Sequence, residues 1–352
     1  MELIPTTILT GFLGAGKTTL LNRILREEHG LRIAVIENEF GQENIDNEIL
    51  VQDSGEQIVE MNNGCICCTV RGDLIVALSN LADKRAAGEL HFDHVVIETT
   101  GLANPGPVAQ TFFVDEAVGS TYLLDAVVTV VDARHAMQQL DEHEEAQRQV
   151  GFADKILLSK TDLVDAAALA ELKARLKRIN PRAPISTSDF GRAPISEVLD
   201  LRGFNLNDKL ELDPAFLEEE EHEHEHDHAC GHDHAHGEAC EHEHHHDHHH
   251  AHHSDDIAAF VFKSERPFDP QRLDEFLGGL VQVFGPRMLR YKGVLYMQGA
   301  ERKVVFQGVH QMMGSDLGAK WADDEARGSK MVFIGKNLPK DVFIHGLEQC
   351  LV

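Results

Sequence analysis

The 352-residue chain carries 32 Lys and Arg against 59 Asp and Glu, a formal charge of -27, with 6% aromatic residues and a single tryptophan, Trp321. So acidic a balance argues against nucleic acid or an anionic membrane as the main partner, and nowhere do the roughly 18 consecutive apolar residues of a membrane span occur. Six cysteines, three of them crowded at Cys65, Cys67 and Cys68, do not make a disulfide framework.

The length suits two domains better than one. The N-terminus is apolar but lacks a basic n-region, so no secretory signal is expected and the predicted location is cytoplasmic, with reduced thiols. Residues 4–9 read as a short buried strand, followed by a loop at 11–16 and a helix from 17 to about 28. Residues 31–37 (LRIAVIE) read as a strand, 71–87 as a helix, 93–98 as a strand and 124–131 as another. A helical stretch at 135–150, a strand at 154–159 and a helix at 165–180 continue the rhythm. Continuous apolar strands alternating with helices predict an α/β domain, with a mostly parallel sheet covered on both faces, over residues 1–203.

Residues 204–256 form a linker. Its low-complexity part alternates His with Glu and Asp, holding sixteen His within 222–253 and fourteen acids but no Lys or Arg within 218–256. It lacks any hydrophobic period and so cannot bury a core. Residues 257–352 regain a globular pattern: a strand IAAFVFKS, a helix from 270 to about 283, strands in MLRYKGVLYM, KVVFQGVHQM and KMVFIG, and a helix over 339–350. This predicts a small α+β domain with about four strands.

The strongest local signal is GFLGAGKT at 11–18. It satisfies G-x-x-x-x-G-K-[ST] and sits between a predicted strand and a predicted helix, the setting of a P-loop NTPase. Gly11, Gly14, Ala15 and Gly16 supply a backbone that can curl around an anion at a helix N-terminus. Lys17 is expected at the β- and γ-phosphates, Thr18 on Mg²⁺ and Thr19 at the α-phosphate. VVIETTG at 95–101 ends a strand in Glu98, placed to meet a Mg²⁺-bound water, and Gly101 allows close approach to the γ-phosphate. SKTD at 159–162 resembles the guanine-recognition motif Asn-Lys-x-Asp, with Ser159 in place of Asn. Asp162 would accept from the guanine N1–H and N2–H₂ edge, and Lys160 would lay its stem along the base.

Two groups point to transition metal. Gly-Cys-Ile-Cys-Cys at 64–68 offers soft thiolates suited to Zn²⁺ and Cu(I). In an extended loop Cys65 and Cys67 face one way and Cys68 the other. Glu37, or nearby Glu39, can add an oxygen ligand. The His-rich stretch, His232, His234 and His236 among it, is a looser site whose imidazoles suit Zn, Ni, Cu and Co. Thiolates and imidazoles together favour Zn²⁺, and affinity should fall on acidification.

Together these residues resemble the CobW-like metallochaperone GTPases, and in particular their YjiA-type members. The likeness rests on GFLGAGKTT at 11–19, ENEFG at 37–41, NGCICC at 63–68, ETTGLANP at 98–105 and SKTD at 159–162, with LLDAVVTVVDA, RYKG and VVFQGVHQ further along. It implies a GTPase domain of the class containing UreG and HypB, a CobW-type C-terminal domain, GTP with Mg²⁺, and low intrinsic activity. It also implies a metal site with Cys67, Cys68 and Glu37 as leading ligands and Cys65 close behind, and it puts Asp46 where an acid could orient water. The expected partners are GTP or GDP, a transition metal and a client metalloprotein of unknown identity; a homodimer is compatible. Release of metal to a client, zinc buffering tuned by GTP, and small-molecule phosphorylation are the competing functions. SKTD and the cysteine loop argue against the last.

Overall fold

A computed structural model of the chain describes residues 3–27, 29–37, 58–60, 70–204, 255–322 and 325–352. Among the described residues the first half is a seven-stranded sheet in the order β3-β2-β4-β1-β5-β6-β7. Its strands are β1 (Ile4–Thr10), β2 (Ile33–Glu37), β3 (Ile58–Glu60), β4 (His94–Glu98), β5 (Tyr122–Asp132), β6 (Lys155–Ser159) and β7 (Ile185–Thr187), and every pairing is parallel. Strands β1, β2, β4, β5 and β6 are buried on both faces. Ile8, Ile36, Ile97, Val127 and Ile156 point into one core, while Leu9, Val35, Val96, Val128 and Leu157 point into the other. This period-two division explains why the strands read as unbroken apolar runs. The connecting helices are α1 (Lys17–Arg26), α2 (Val70–Ala86), α3 (Pro105–Val114), α4 (Glu116–Thr121), α5 (Ala136–Glu142), α6 (Glu144–Phe152) and α7 (Ala166–Ile179).

Several elements differ from expectation. β3 and β7 are three residues each, too short to show a period. α3 opens with Pro-Gly-Pro, a sequence that reads as a turn. Pro105 nevertheless suits the first helical position, and the Asn104 side chain caps the Gly106 N–H at 3.0 Å. The stretch 135–150 is two helices, broken where His143 takes extended angles of φ -130° and ψ 114°.

The second half is an antiparallel sheet of five strands, one more than the sequence predicted, in the order β11-β10-β9-β12-β8. It comprises β8 (Ile257–Ser264), β9 (Met288–Leu295), β10 (Arg302–Val309), β11 (Met312–Lys320) and β12 (Ser329–Lys336). The unexpected β11 is an edge strand, held by its ladder to β10 and mostly exposed, so its sequence MMGSDLGAK carries no apolar alternation. α8 (Pro270–Phe284) and α9 (Lys340–Gln349) cover one face through Leu273, Leu277, Phe343 and Leu347. From the other face Ile257, Leu289, Val332 and Ile334 join the same core as Phe152 and Leu176 of the first half.

A charged knot reinforces that junction. Asp154 accepts from Arg290 at 2.8 Å and from Lys292 at 2.6 Å, with the Asp154 side chain fully buried. The Arg290 guanidinium lies 3.5 Å from the centroid of the Phe204 ring. Burial lowers the Arg290 pKa, opposed by the charge of Asp154.

Candidate functional site

The site lies beyond the carboxyl end of β1, where neighbouring connections leave the sheet in opposite directions, the usual ligand position in open α/β sheets. Gly11 has φ +146°, and a Cβ there would sit 2.2 Å from the Val130 carbonyl oxygen, so only glycine fits. Gly14 at φ +72° and Gly16 at φ +100° turn the chain through left-handed conformations into α1. The loop therefore ends with the backbone N–H groups of a helix N-terminus, which favours an anion.

Lys17 is buried, and its Nζ donates to the carbonyls of Gly11 at 2.9 Å and Phe12 at 3.4 Å. Thr18 donates its hydroxyl to Glu98 Oε1 at 2.9 Å. Thr19 is exposed beside them. Glu98 ends β4 in register with Glu37 of β2, which is itself in register with Glu60 of β3. Gly101 packs on the phosphate loop: a Cβ there would lie 2.6 Å from the Leu13 backbone nitrogen. Thr99 ties the same loop to β1 by donating to the Thr10 hydroxyl at 2.8 Å.

At the other end Ser159 donates its hydroxyl to the Ala15 carbonyl at 2.6 Å. Lys160 adopts φ +56° and donates to the Gly14 carbonyl at 2.9 Å and to Asp132 at 2.7 Å. The Asp132 carboxylate also pairs with His135 Nδ1 at 2.9 Å and accepts the Arg134 N–H at 2.9 Å. Burial pushes the Asp132 carboxyl up, but hydrogen bonds from Lys160 and His135 outweigh it and hold its pKa below the usual range. Asp162 is exposed in the turn Thr161–Leu163. Asp189 fixes that turn, accepting the Thr161 N–H at 2.7 Å and the Thr161 hydroxyl as well.

Of the predicted residues, Gly11, Gly14, Ala15 and Gly16 form the loop, Lys17, Thr18 and Thr19 open α1, and Gly101, Ser159 and Lys160 touch the loop while Glu98 meets Thr18; Asp162 lies in the exposed turn after Lys160. Asp46, Cys65, Cys67, Cys68, His232, His234 and His236 lie outside the described residues, as does Glu39. Among the described residues no group of three or more His, Cys, Asp or Glu is arranged to hold a metal. Sequence reading missed Asp132, Asp189 and Gln149. Gln149 is 1% exposed and donates to the carbonyls of Gly101 at 3.1 Å and Ala103 at 3.0 Å. No helix among the described residues is long and apolar enough to cross a membrane.

Comparison with known proteins finds relatives over both halves of the chain. The family model of the CobW/HypB/UreG nucleotide-binding domain matches residues 5–187, and that of the cobalamin synthesis protein CobW C-terminal domain matches residues 257–351. The chain is 39% identical to the zinc chaperone YjiA of Escherichia coli, over 97% of this chain and 96% of that one. It is 33% identical to the zinc chaperone CobW of Pseudomonas aeruginosa, over 99% and 92%. The crystal structure of Zn(II)-bound YjiA GTPase from E. coli superposes with a TM-score of 0.76 at 34% identity, covering all of both chains.

Proposed function

Since this chain belongs to the CobW/HypB/UreG family, we propose that it is a GTP-hydrolysing metallochaperone that binds zinc and couples nucleotide state to zinc release to a client metalloprotein. The observation that carries the reading is the Thr18–Glu98 contact beneath the glycine loop, in register with Glu37. It joins the phosphate end of the site to the strand edge from which the cysteine segment 61–69 continues. The division of the chain at residues 203 and 257 belongs to the same proposal.

Lys17 turns from its own loop carbonyls to the β- and γ-phosphates, where its charge offsets the negative charge of the transition state. The hard oxygens of Thr18 and Glu98 fit Mg²⁺, and these two residues would hold it. Bound there, Mg²⁺ would neutralise charge on the transferring phosphoryl group. Asp162 accepts the guanine N1–H and N2–H₂ edge, which adenine does not present. Ser159 braces the phosphate loop through Ala15, so base choice falls on Asp162. Lys160 is aimed by Asp132, and the recognition turn is aimed by Asp189.

Cys67, Cys68 and Glu37 are the tight zinc ligands in this proposal, with Cys65 beside them, and Asp46 orients water. The His-rich stretch raises the local zinc concentration. The test is zinc titration of Cys67→Ala with Cys68→Ala. The tight site should disappear while weak binding by the histidines remains. Unchanged tight affinity in the double variant would overturn the ligand assignment. A pure zinc buffer, which sixteen histidines in 222–253 could also serve, would pass zinc to an apo client no faster with GTP than without it.

A further inference from the structure

The loop that follows Glu98 is gripped from behind by a helix that also grips the second sheet. The amide of Gln149, on α6, donates to Gly101 and Ala103 at 3.1 and 3.0 Å, on the loop that lies against Leu13. Two residues earlier Gln147 accepts the Ile257 N–H at 3.2 Å and donates to the Leu140 carbonyl at 2.8 Å. Ile257 opens β8, four positions after His253, the last histidine of the acidic tract.

The remaining contacts of α6 strengthen that grip. Gly151 leaves room for Leu289, Ile257 and Ile334; a Cβ would lie 3.0 Å from Leu289. Glu144 at the start of the helix meets Lys336 of β12 at 2.6 Å. A single nine-residue helix therefore holds the loop after β4 on one side and three strands of the antiparallel sheet, β8, β9 and β12, on the other.

We propose that α6 transmits the nucleotide state from the loop after β4 to the antiparallel sheet, and so to the point where the His-rich segment rejoins the fold, with Gln149 as the positioning residue that follows the loop. The inference rests on the GTPase reading above. Its physical basis is the expense of breaking buried hydrogen bonds. An amide nitrogen that lost both acceptors would stay desolvated and unsatisfied. Loop and helix therefore shift together when a γ-phosphate presses on residues 99–103. A helix packed into the shared core passes a shift on as a rigid element.

The test is hydrogen exchange on the full chain, read in peptides covering 257–264 and 329–336, with GDP and with a non-hydrolysable GTP analogue. The wild type should exchange several-fold differently in the two states. In Gln149→Met that difference should vanish while both nucleotides bind with unchanged Kd. The same variant should lose about fivefold in kcat with KM unchanged, a split that general destabilisation would not give. Gln147→Met leaves the loop contacts in place. It should keep turnover but lose the difference at 257–264, and it carries the test alone if Gln149→Met does not fold.

A nucleotide-dependent difference that survives in Gln149→Met, or that survives at 257–264 in Gln147→Met, overturns the inference. So does a wild type that binds both nucleotides yet shows no difference in these peptides. A wild type that binds neither nucleotide refutes the proposed function itself, and this inference with it.

Discussion

The central strands of the parallel sheet carry buried polar groups toward both ends, and the two clusters differ in kind. Toward the amino ends, His94 Nε2 meets the Thr7 hydroxyl at 2.8 Å, and Thr7 donates to Asp125 at 3.0 Å. Asp125 also accepts the N–H groups of Leu201 at 3.2 Å and Arg202 at 2.6 Å. Burial pushes the Asp125 carboxyl up and the His94 imidazole down to about 4. That network closes on itself and clamps the chain before the His-rich segment. At the carboxyl ends, Lys17, Thr18 and Glu98 sit beside glycines in left-handed conformations and a helix N-terminus. Burial of polar groups is therefore no mark of function by itself. What marks the second cluster is its strand end and left-handed glycines that lead into a helix N-terminus, a setting that favours an anion.

The comparison predicts a division between activity and stability. Lys17→Ala should cost the most, about 3–4 kcal/mol of transition-state stabilisation or roughly 10²–10³-fold in GTP turnover, while the urea midpoint moves little. Retained turnover in a clean preparation would refute the phosphate site.

The pH response belongs to the other cluster. Burial holds His94 neutral in the folded state, its pKa pushed down to about 4 from the ordinary imidazole value of about 6.5. Its contribution is whole above 6.5 and is lost as pH falls from there toward 4, on the order of 3 kcal/mol in all. The raised Asp125 pKa opposes this at the acid end. His94→Asn should flatten the fall of Tm between pH 6.5 and 4 and leave kcat at neutral pH unchanged.

Thr7→Val removes the hydroxyl between His94 and Asp125. It should cost about 2 kcal/mol in urea unfolding, again without loss of turnover. The smallest effect is expected for Ser159→Ala, about 1 kcal/mol, seen as a roughly fivefold fall in GTP turnover through the loosened Ala15 contact. A stability loss from Lys17→Ala matching that of Thr7→Val, or a turnover loss from Thr7→Val matching that of Ser159→Ala, would erase the distinction.

The glycine loop between β1 and α1 was readable because its signal is local: the glycines, Lys17 and Thr18 fall within eight residues, between a strand and a helix. The alternating buried strands were readable because each side of the sheet must be apolar. The supporting groups were not. Asp132 reaches Lys160 across 28 positions, Asp189 reaches Thr161 across 28, and Gln149 reaches Gly101 across 48. No spacing rule reports contacts made only by the fold. β11 escaped for a related reason, since its backbone ladder to β10 needs no apolar side chain at Ser315 or Asp316. Within the site, Ser159 stood out as a departure from Asn, and only the Ala15 contact gives that departure a physical meaning.

The most direct test is the zinc affinity of the chain with residues 222–253 deleted, measured by competition with a chromophoric chelator in apo, GDP-bound and GTP-analogue-bound forms. The account predicts affinities that differ by roughly tenfold between the two nucleotide states; identical affinities in all three forms would contradict it.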